Sequence, residues 1–163
     1  MRQLWAPWRM AYVGGESPRT SECFICDAIE GSGLDAKLVV ARADQAVVML
    51  NRFPYSPGHV LVAPTRHAHD LRDLSGEEGA ALFTTMQRTM RAIEAGLTPD
   101  GFNLGLNVGA AAGASVEHVH VHVVPRWSGD TNFMPVLGDV KVIPEHLDAT
   151  AGRLREAFAT LGD

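Results

Sequence analysis

The stretch His118-Val119-His120-Val121-His122-Val123-Val124 alternates histidine with valine. Successive side chains of a β-strand point to opposite faces of a sheet, so the alternation predicts a strand with three imidazoles on one face. The valines on the other face indicate packing against a core, which a surface strand with chance histidines would not explain. Aligned imidazoles bind metal ions, attack electrophiles or move protons near neutral pH. The stretch therefore predicts a chemically active sheet face.

Four more strands and two helices are predicted around this strand. The strands cover residues 37–42, 45–50, 58–64 and 102–108, and the histidine strand covers 118–126. Ser75-Gly76-Glu77-Glu78 has the spacing of a capping box, and Gly96 and Pro99 end the long helix that it opens. An apolar stripe of this helix is predicted to pack in the core: Leu82, Phe83, Met86, Met90, Ile93 and Leu97. With a closing helix over 149–161 and no regular βαβ alternation, the pattern predicts an α+β fold with an antiparallel sheet.

Length and composition limit the classes of function. We expect the 163 residues to form one domain over 1–163, with an irregular N-terminal arm (1–22) and a C-terminal tail (127–163). The net charge of −5 provides no broad basic field for long nucleic acid. No apolar stretch is long enough to span a bilayer, and the N-terminus lacks the apolar core of a signal peptide. These features predict a cytoplasmic protein without a membrane partner.

Cys23-Phe24-Ile25-Cys26 is a second group of chemically active residues. Two cysteines do not make a disulfide framework, but such a pair is redox-active or binds a metal. A thioredoxin-like site requires a strand before the pair and a helix opening on it, whereas glycine, proline and serine precede this pair and predict a loop. Zinc requires two further ligands, for which His67 and His118 are candidates. Of the remaining histidines, we interpret His59 as a hydrogen-bonded packing residue, His69 as solvated and His146 as without a recognisable role.

A loop of small residues leads into the histidine strand. It reads Gly105-Leu106-Asn107-Val108-Gly109-Ala110-Ala111-Ala112-Gly113-Ala114-Ser115 and lacks the Gly-Lys-Ser/Thr of a P-loop. Small residues allow backbone amides to come close to a phosphate, although a flexible connector would have the same composition. Its place just before the histidines favours phosphate binding.

Together these motifs resemble the histidine triad (HIT) superfamily of nucleotide hydrolases and transferases, from about Cys23 to Trp127. The matching motifs are His-φ-His-φ-His-φ-φ at 118–124 with Pro125-Arg126 after it, Asn51-Arg52-Phe53-Pro54, Pro57-Gly58-His59-Val60-Leu61-Val62, Asn107-x-Gly109 and Gly113-x-Ser115. The chain ends are similar to the bacterial diadenosine tetraphosphate phosphorylases, also called ATP adenylyltransferases, at residues 4–10, 125–127, 132–133 and 141–144. Ala114 stands where many members carry glutamine. The resemblance therefore leaves open which molecule accepts the transferred nucleotidyl group.

The resemblance implies a HIT-like fold and a role for each matching residue. His120 is implied to be the nucleophile that forms a nucleotidyl-histidine intermediate, and His122 and Ser115 to donate to a phosphate oxygen or the leaving group. Substrate-binding roles are implied for Asn51 at the ribose, for Met49 and Leu61 at the base, and for Asn107 and Gly113 in the phosphate loop. In zinc-carrying members the ligand positions correspond to Cys23, Cys26, His67 and His118, where zinc is structural and no catalytic metal is required.

Three hypotheses about function follow. The first is phosphorolysis of dinucleoside polyphosphates, diadenosine tetraphosphate in particular, with inorganic phosphate as acceptor and ADP and ATP as products. The second is hydrolysis of nucleotide phosphoramidates or dinucleoside polyphosphates. The third is a non-catalytic, zinc-stabilised nucleotide-binding adaptor. Family members usually pair through the long helix and an adjoining strand, so the resemblance implies at least a homodimer.

Overall fold

Five strands form one sheet in the computed structural model, which describes residues 23–130 and 146–162. They are β1 (Val39–Arg42), β2 (Ala46–Leu50), β3 (Val60–Pro64), β4 (Gly101–Leu106) and β5 (Val121–Arg126). The order across the sheet is β1-β2-β3-β5-β4, and every neighbouring pair is antiparallel. The predicted α+β class and five-stranded antiparallel sheet are confirmed. The predicted N-terminal arm (1–22) and residues 131–145 and 163 of the predicted tail lie outside the described residues.

Within the described residues, three α-helices accompany the sheet: α1 (Phe24–Glu30), α2 (Gly76–Leu97) and α3 (Leu147–Leu161). The capping box of α2 is confirmed, because Ser75 Oγ accepts from the Glu78 N–H at 3.1 Å and Glu78 Oε2 accepts from the Ser75 N–H at 2.8 Å. No helix within residues 23–130 and 146–162 is both long and apolar enough to cross a membrane.

Helix α1 was not predicted, and the loop expected before the cysteines lies outside the described residues. Its seven residues are too few to show helical periodicity. It is capped by the thiol of Cys23 in place of the usual serine, threonine, aspartate or asparagine, and it ends at Gly31 with φ 76°. The local sequence therefore carried a weak helix signal.

One face of the sheet is covered by α2 and α3. Its core contains Val48, Leu50, Val60, Val62, Val121, Val123, Ile93, Leu97, Leu154 and Phe158. The predicted stripe of α2 is correct except at Phe83, which is 57% exposed. At 3.6 residues per turn the buried line of the helix runs through Leu82, Thr85 and Thr89, and Phe83 lies to its side. Burying Thr89 is tolerated because its hydroxyl donates to the Thr85 carbonyl at 2.7 Å.

The opposite face carries the histidines. Leu61 pairs with His122 and Met49 pairs with Leu61 across the strands, which places all three side chains on one face. Val121 and Val123 belong to the core of the other face, so the predicted division between histidines and valines is confirmed within β5. On the histidine face, Ile25 and Ala28 of α1 belong to a smaller apolar cluster, whose other members are Cys23, Val47, Met49, Leu61 and Ala63.

Strand β5 begins at Val121, three residues later than predicted. The neighbouring strand β3 ends at Pro64, and a proline offers no N–H to continue a ladder. The backbone before Val121 forms a hydrogen bond with the segment after β3 instead, since the Val119 N–H donates to the Ala68 carbonyl at 2.7 Å. His118 and His120 therefore lie on the approach to the strand.

Candidate active site and metal centre

A cavity opens on the histidine face of the sheet. The residues that line it come from the start of α1, the segment after β2, strand β3, the loop after β4 and the β5 region: Phe24, Asn51, Phe53, Tyr55, Leu61, Asn107, Gly113, Ser115, His120 and His122. The tertiary structure thus brings together all three predicted catalytic residues and four of the five predicted substrate-binding residues.

Met49 is the exception among the predicted substrate-binding residues. Its side chain is 1% exposed and packs in the smaller apolar cluster with Ile25 and Ala28 of α1. Among the described residues, those lining the cavity include its cross-strand partner Leu61 but not Met49. The base contact expected for Met49 is not supported, because α1, which the sequence did not reveal, covers this position.

His120 is buried at the base of the cavity, with 4% of its surface exposed. Its Nδ1 lies 2.7 Å from the His118 carbonyl, which only accepts, so Nδ1 carries the proton and Nε2 carries the lone pair. Burial lowers the pKa of His120 below its ordinary value of 6.5, although the bond to the carbonyl opposes that shift. A neutral imidazole with a lone pair on Nε2 is the form required of a nucleophile.

His122 is held by a second buried histidine, His59. The Tyr55 N–H donates to His59 Nδ1 at 3.0 Å, so neutral His59 carries its proton on Nε2 and donates to His122 Nδ1, also at 3.0 Å. Neutral His122 must then carry its own proton on Nε2. The contact of Asn51 Nδ2 with His59 Nε2 is longer, at 3.5 Å, and we assign the proton of His59 to the shorter contact.

Sequence reasoning identified His59 as a hydrogen-bonded packing residue but missed its contact with His122. The side chain is fully buried, and a buried imidazole requires polar partners. That requirement indicated that His59 has a polar partner, but it could not identify His122, which lies 63 residues away in sequence. The tautomer of His122 is thus set by a residue outside the triad.

An aromatic rim was also missed. Asn51 Oδ1 accepts from the Phe53 N–H at 2.9 Å, and this local turn accompanies Phe53 and Tyr55 at the cavity wall, 47% and 40% exposed. The Tyr55 ring stacks on His59 with centroids 4.8 Å apart. Exposed aromatic side chains beside buried imidazoles give the cavity apolar surface for a planar ligand.

The small-residue loop is folded into a turn. Ala110–Ala112 form a short 3₁₀ helix, and the Gly109 carbonyl accepts from the N–H groups of Ala112 and Ala114 at 3.1 and 3.3 Å. Gly113 has φ 89°, a conformation that side-chain-bearing residues rarely adopt. This turn places Gly113 and Ser115 beside His120 in the cavity wall.

The four predicted zinc ligands form a cluster next to the cavity. The ligand atoms of Cys23, Cys26, His67 and His118 all lie within 4.8 Å of one another. Cys26 Sγ is 3.2 Å from His67 Nδ1 and 3.5 Å from His118 Nδ1, and Cys23 Sγ is 3.4 Å from His118 Nδ1. Tetrahedral zinc, with Zn–S of about 2.3 Å and Zn–N of about 2.0–2.1 Å, would separate such atoms by about 3.4–3.8 Å.

The chemistry of the cluster also fits a cation. His118 Nε2 donates to the Pro64 carbonyl at 2.9 Å, which leaves the Nδ1 lone pair for the cluster. Burial lowers the pKa of His118 to about 4, so the ring is neutral. Burial and the neighbouring Cys23 raise the pKa of Cys26 to about 12. A bound cation would offset the electrostatic repulsion between two neighbouring thiolates. The residues present therefore fit a zinc site.

Comparison with known proteins places the chain in a family. Residues 34–129 match the HIT domain, and the chain belongs to this family. It is 41% identical to the AP-4-A phosphorylase of Mycobacterium tuberculosis over 98% of this chain and 85% of that protein. It is 32% identical to the asymmetrical bis(5'-nucleosyl)-tetraphosphatase of Schizosaccharomyces pombe, over 75% of this chain and 64% of that protein. The predicted HIT resemblance is confirmed.

A solved structure gives the same result. A zinc-bound histidine triad family protein from Mycobacterium smegmatis superposes with a TM-score of 0.71 at 31% identity, covering 85% of this chain and 94% of that one. That relative carries zinc, and the present chain has the Cys23, Cys26, His67 and His118 cluster.

Proposed function

We propose that this HIT enzyme transfers a nucleotidyl group from a dinucleoside polyphosphate to inorganic phosphate through a covalent nucleotidyl-His120 intermediate. The observation that carries the proposal is the placement of buried His120, which is bonded through Nδ1 to the His118 carbonyl and forms part of the cavity wall. Burial lowers the pKa of His120, which favours the neutral ring. The similarity to an AP-4-A phosphorylase supports diadenosine tetraphosphate as the substrate.

In the first step, His120 Nε2 attacks the α-phosphorus of one adenylyl group. The bond from that phosphorus to its bridging oxygen breaks, ATP leaves, and AMP stays on the ring through a phosphorus–nitrogen bond. The Nδ1–H bond to the His118 carbonyl stabilises the positive charge that the ring acquires. His122 Nε2–H and the Ser115 hydroxyl, both in the cavity wall, donate to phosphate oxygens or to the leaving oxygen.

In the second step, an oxygen of inorganic phosphate attacks the same phosphorus. The phosphorus–nitrogen bond breaks, ADP leaves, and neutral His120 is restored. The sum is diadenosine tetraphosphate plus phosphate giving ATP plus ADP. Water in place of phosphate would give AMP plus ATP, and the similarity to an asymmetrical bis(5'-nucleosyl)-tetraphosphatase is the observation that keeps this hydrolase alternative.

The remaining cavity residues position the nucleotide in this proposal. Asn51 Oδ1 already accepts from the Phe53 N–H, so the Asn51 amide group is the donor offered to ribose hydroxyls. Leu61 offers apolar surface to the base, and Asn107 and Gly113 lie beside the phosphates with Ser115. Neutral groups and N–H or O–H donors match a transition state whose charge is spread over phosphoryl oxygens.

The acceptor is tested by product analysis with diadenosine tetraphosphate. We expect turnover to rise with inorganic phosphate and to release ADP and ATP in equal amounts. AMP and ATP formed independently of phosphate would establish the hydrolase instead. Tight nucleotide binding without turnover of polyphosphates or phosphoramidates would establish the adaptor.

The intermediate is tested by acid or denaturant quench after mixing with substrate labelled at the α-phosphorus. We expect label on the protein and on His120 by peptide mapping. Product that accumulates while the protein never carries label would remove the covalent step.

We also infer that Cys23, Cys26, His67 and His118 hold a structural zinc. The ion would cross-link α1, the segment after β3 and the approach to β5, and no chemical step passes through it. About one zinc per chain should copurify, and Cys23→Ser or His67→Ala should lose it. His69→Ala is the matched control, because His69 lies two residues beyond His67 and pairs with Glu117 at 3.4 Å. Elemental analysis that finds folded, metal-free wild-type protein would contradict the inference.

We further propose a homodimer, or a higher oligomer, and a cytoplasmic location. Strand β4 is an edge strand of the described sheet, and Leu104 in β4 and Phe83 in α2 are 47% and 57% exposed. No described strand pairs with this edge, and an edge strand with exposed apolar side chains is a surface that a second copy would cover. The cytoplasm suits a thiol–zinc site, because cysteines stay reduced there. Sedimentation analysis should find no monomer at micromolar concentration.

A further inference from the structure

The two thiols of the cluster meet at the start of α1. Cys23 is the N-cap residue of this helix, and its Sγ accepts from the Cys26 N–H at 3.4 Å. The ligand atoms of the cluster lie within 4.8 Å of one another, so the two sulfurs are close neighbours. A helix that opens on a Cys-x-x-Cys pair is a feature of dithiol redox sites, and the structure supplies it.

One sulfur of the pair is buried and the other is accessible. Cys23 is 6% exposed, whereas Cys26 is partly exposed and its Sγ lies 3.2 Å from Nδ1 of the exposed His67. A small oxidant therefore reaches Cys26 first, and Cys23 is the thiol that can react with the product. Zinc binds cysteine as the thiolate, which is the nucleophilic form, so zinc-loaded protein presents reactive sulfur at neutral pH.

The charge around Cys26 favours a neutral oxidant. Burial is the main reason why the pKa of Cys26 is raised to about 12, and the negative charges of Glu30 and Asp27 contribute to the rise. Both carboxylates therefore act on the sulfur. Glutathione disulfide carries a net negative charge and is repelled by them, whereas hydrogen peroxide is neutral and is not repelled.

We propose that Cys23 and Cys26 are a modification site for hydrogen peroxide, at which formation of a disulfide within the chain releases the zinc. The Cys26 sulfur attacks one peroxide oxygen, the O–O bond breaks, and hydroxide leaves a sulfenic acid on Cys26. The Cys23 sulfur then attacks the Cys26 sulfur, the S–S bond forms, and a second hydroxide leaves. Two thiolates lose two electrons, which reduce the peroxide, and a thiol reductant reverses the change. This inference rests on the inferred zinc site and goes beyond the proposed nucleotidyl transfer.

His118 connects this site to the proposed nucleophile. Its Nδ1 lies 3.4 Å from Cys23 Sγ and 3.5 Å from Cys26 Sγ, and its carbonyl accepts from His120 Nδ1 at 2.7 Å. A disulfide offers no thiolate to a metal, so after oxidation the ion no longer ties His118 to α1. We expect the oxidised protein to turn over about tenfold more slowly, or slower still, which is the scale seen when support around a site is removed.

The test treats zinc-loaded protein with hydrogen peroxide and follows zinc release with a chelating dye, free thiols by alkylation and intact mass, and turnover. We expect zinc release, loss of both thiols and loss of turnover to proceed at one rate. The chain has only two cysteines, so a single chain that resists alkylation and weighs two hydrogens less carries this disulfide. Dithiothreitol followed by zinc should restore thiols and turnover, which it would not do for sulfinic acid or methionine sulfoxide.

Three variants separate the steps. Cys23→Ser leaves Cys26 without a thiol to react with, so its oxidation should yield no disulfide within the chain and should not be reversed by dithiothreitol once sulfinic acid forms. Glu30→Gln should speed zinc release by glutathione disulfide about twofold or more at low salt, and should leave the rate with peroxide unchanged. Glu94→Gln is the matched control, because Glu94 is an exposed carboxylate of α2, which packs on the other face of the sheet, and should change neither rate.

Zinc release with sulfinic acid and no disulfide, a disulfide between two chains, or zinc that stays bound through prolonged peroxide treatment would overturn the inference. A disulfide that releases zinc without slowing turnover would overturn the connection to His120 and leave the proposed function intact. Zinc-loaded protein that is inactive before oxidation would refute the proposed function, while zinc release and thiol loss would still decide this inference.

Discussion

The two faces of the sheet differ in composition and in cover. The face that carries Val121 and Val123 is closed by α2 and α3 and buries an apolar core. The face that carries His122 is covered by the short helix α1 over part of its area and leaves a cavity lined by polar and aromatic side chains. Adjacent residues of one strand therefore serve different purposes. The closed face buries the larger apolar core, and the open face carries the residues to which the proposed chemistry is assigned.

The strongest test of this comparison changes neighbouring residues on opposite faces. His120→Ala should lower kcat by at least about a thousandfold, because only positioning and hydrogen-bond donors remain, and should keep AMP binding. Val121→Ala should lower the free energy of unfolding and retain kcat. Steady-state kinetics, calorimetric AMP binding and denaturant unfolding give these three quantities. Wild-type turnover in His120→Ala would contradict the assignment of chemistry to this face.

A second test addresses the closed face alone. Ile93 of α2 is fully buried in the large core, so Ile93→Ala should lower the free energy of unfolding by about 2–5 kcal/mol. Turnover of the molecules that stay folded should not change. Arg91→Ala, at an exposed position of the same helix, should stay within about 0.5 kcal/mol of wild type in urea unfolding. Equal losses of unfolding free energy in Ile93→Ala and Arg91→Ala would show that burial of Ile93 on this face does not stabilise the fold.

Gly58 lies between the two faces: it packs against Leu97 of α2, and it precedes His59, which contacts His122. Its φ is +73°, and a Cβ atom there would lie 2.3 Å from Leu97 Cδ1 of α2. Gly58→Ala should therefore lower the free energy of unfolding by about 1–3 kcal/mol. Gly79→Ala is the matched control, because Gly79 lies within α2 and a Cβ there has open space. This control should be neutral or stabilising by up to about 1 kcal/mol. Thermal unfolding of both variants measures the difference, and a stable Gly58→Ala protein would refute the close approach.

The smallest expected effect is at the start of α2. Hydrogen bonding from Arg66, then from the Ser75 N–H, lowers the pKa of Glu78 from 4.5 to about 2. A carboxyl with a lowered pKa in the folded state stabilises the fold above its ordinary pKa, and that contribution is lost as the pH falls towards about 2. Wild type should be more stable than Glu78→Gln at neutral pH, and this difference should disappear in acid. Unfolding at several pH values measures it, with Glu77→Gln as the control for charge alone. A difference that persists at about pH 2 would exclude this cause.

The features that sequence reasoning predicted correctly have strong local signals. The β-strand set follows from apolar runs of short length, and the start of α2 follows from the capping-box spacing at Ser75 and Glu78. The division of β5 into a histidine face and a valine face follows from the strand period of two. The cluster of Cys23, Cys26, His67 and His118 came from the family resemblance, since gaps of tens of residues carry no geometric information.

The features that were missed depend on contacts between distant segments. Strand β5 starts late because Pro64 of the neighbouring strand cannot continue the ladder. Helix α1 is stabilised by tertiary packing of Ile25 and Ala28 rather than by its own propensity. The packing of α1 also explains why Met49 is core and why Phe24 reaches the cavity.

The amino-acid sequence by itself determined the period of the strands and of the long helix α2, the face of β5 that carries a histidine, and the residue types available for chemistry, because these properties are local. The tertiary structure alone decided which imidazole nitrogen carries a proton. Tyr55 fixes His59, His59 fixes His122, and the His118 carbonyl fixes His120. A proton's position on an imidazole follows from the hydrogen-bond partner that faces each nitrogen, and folding brings those partners together.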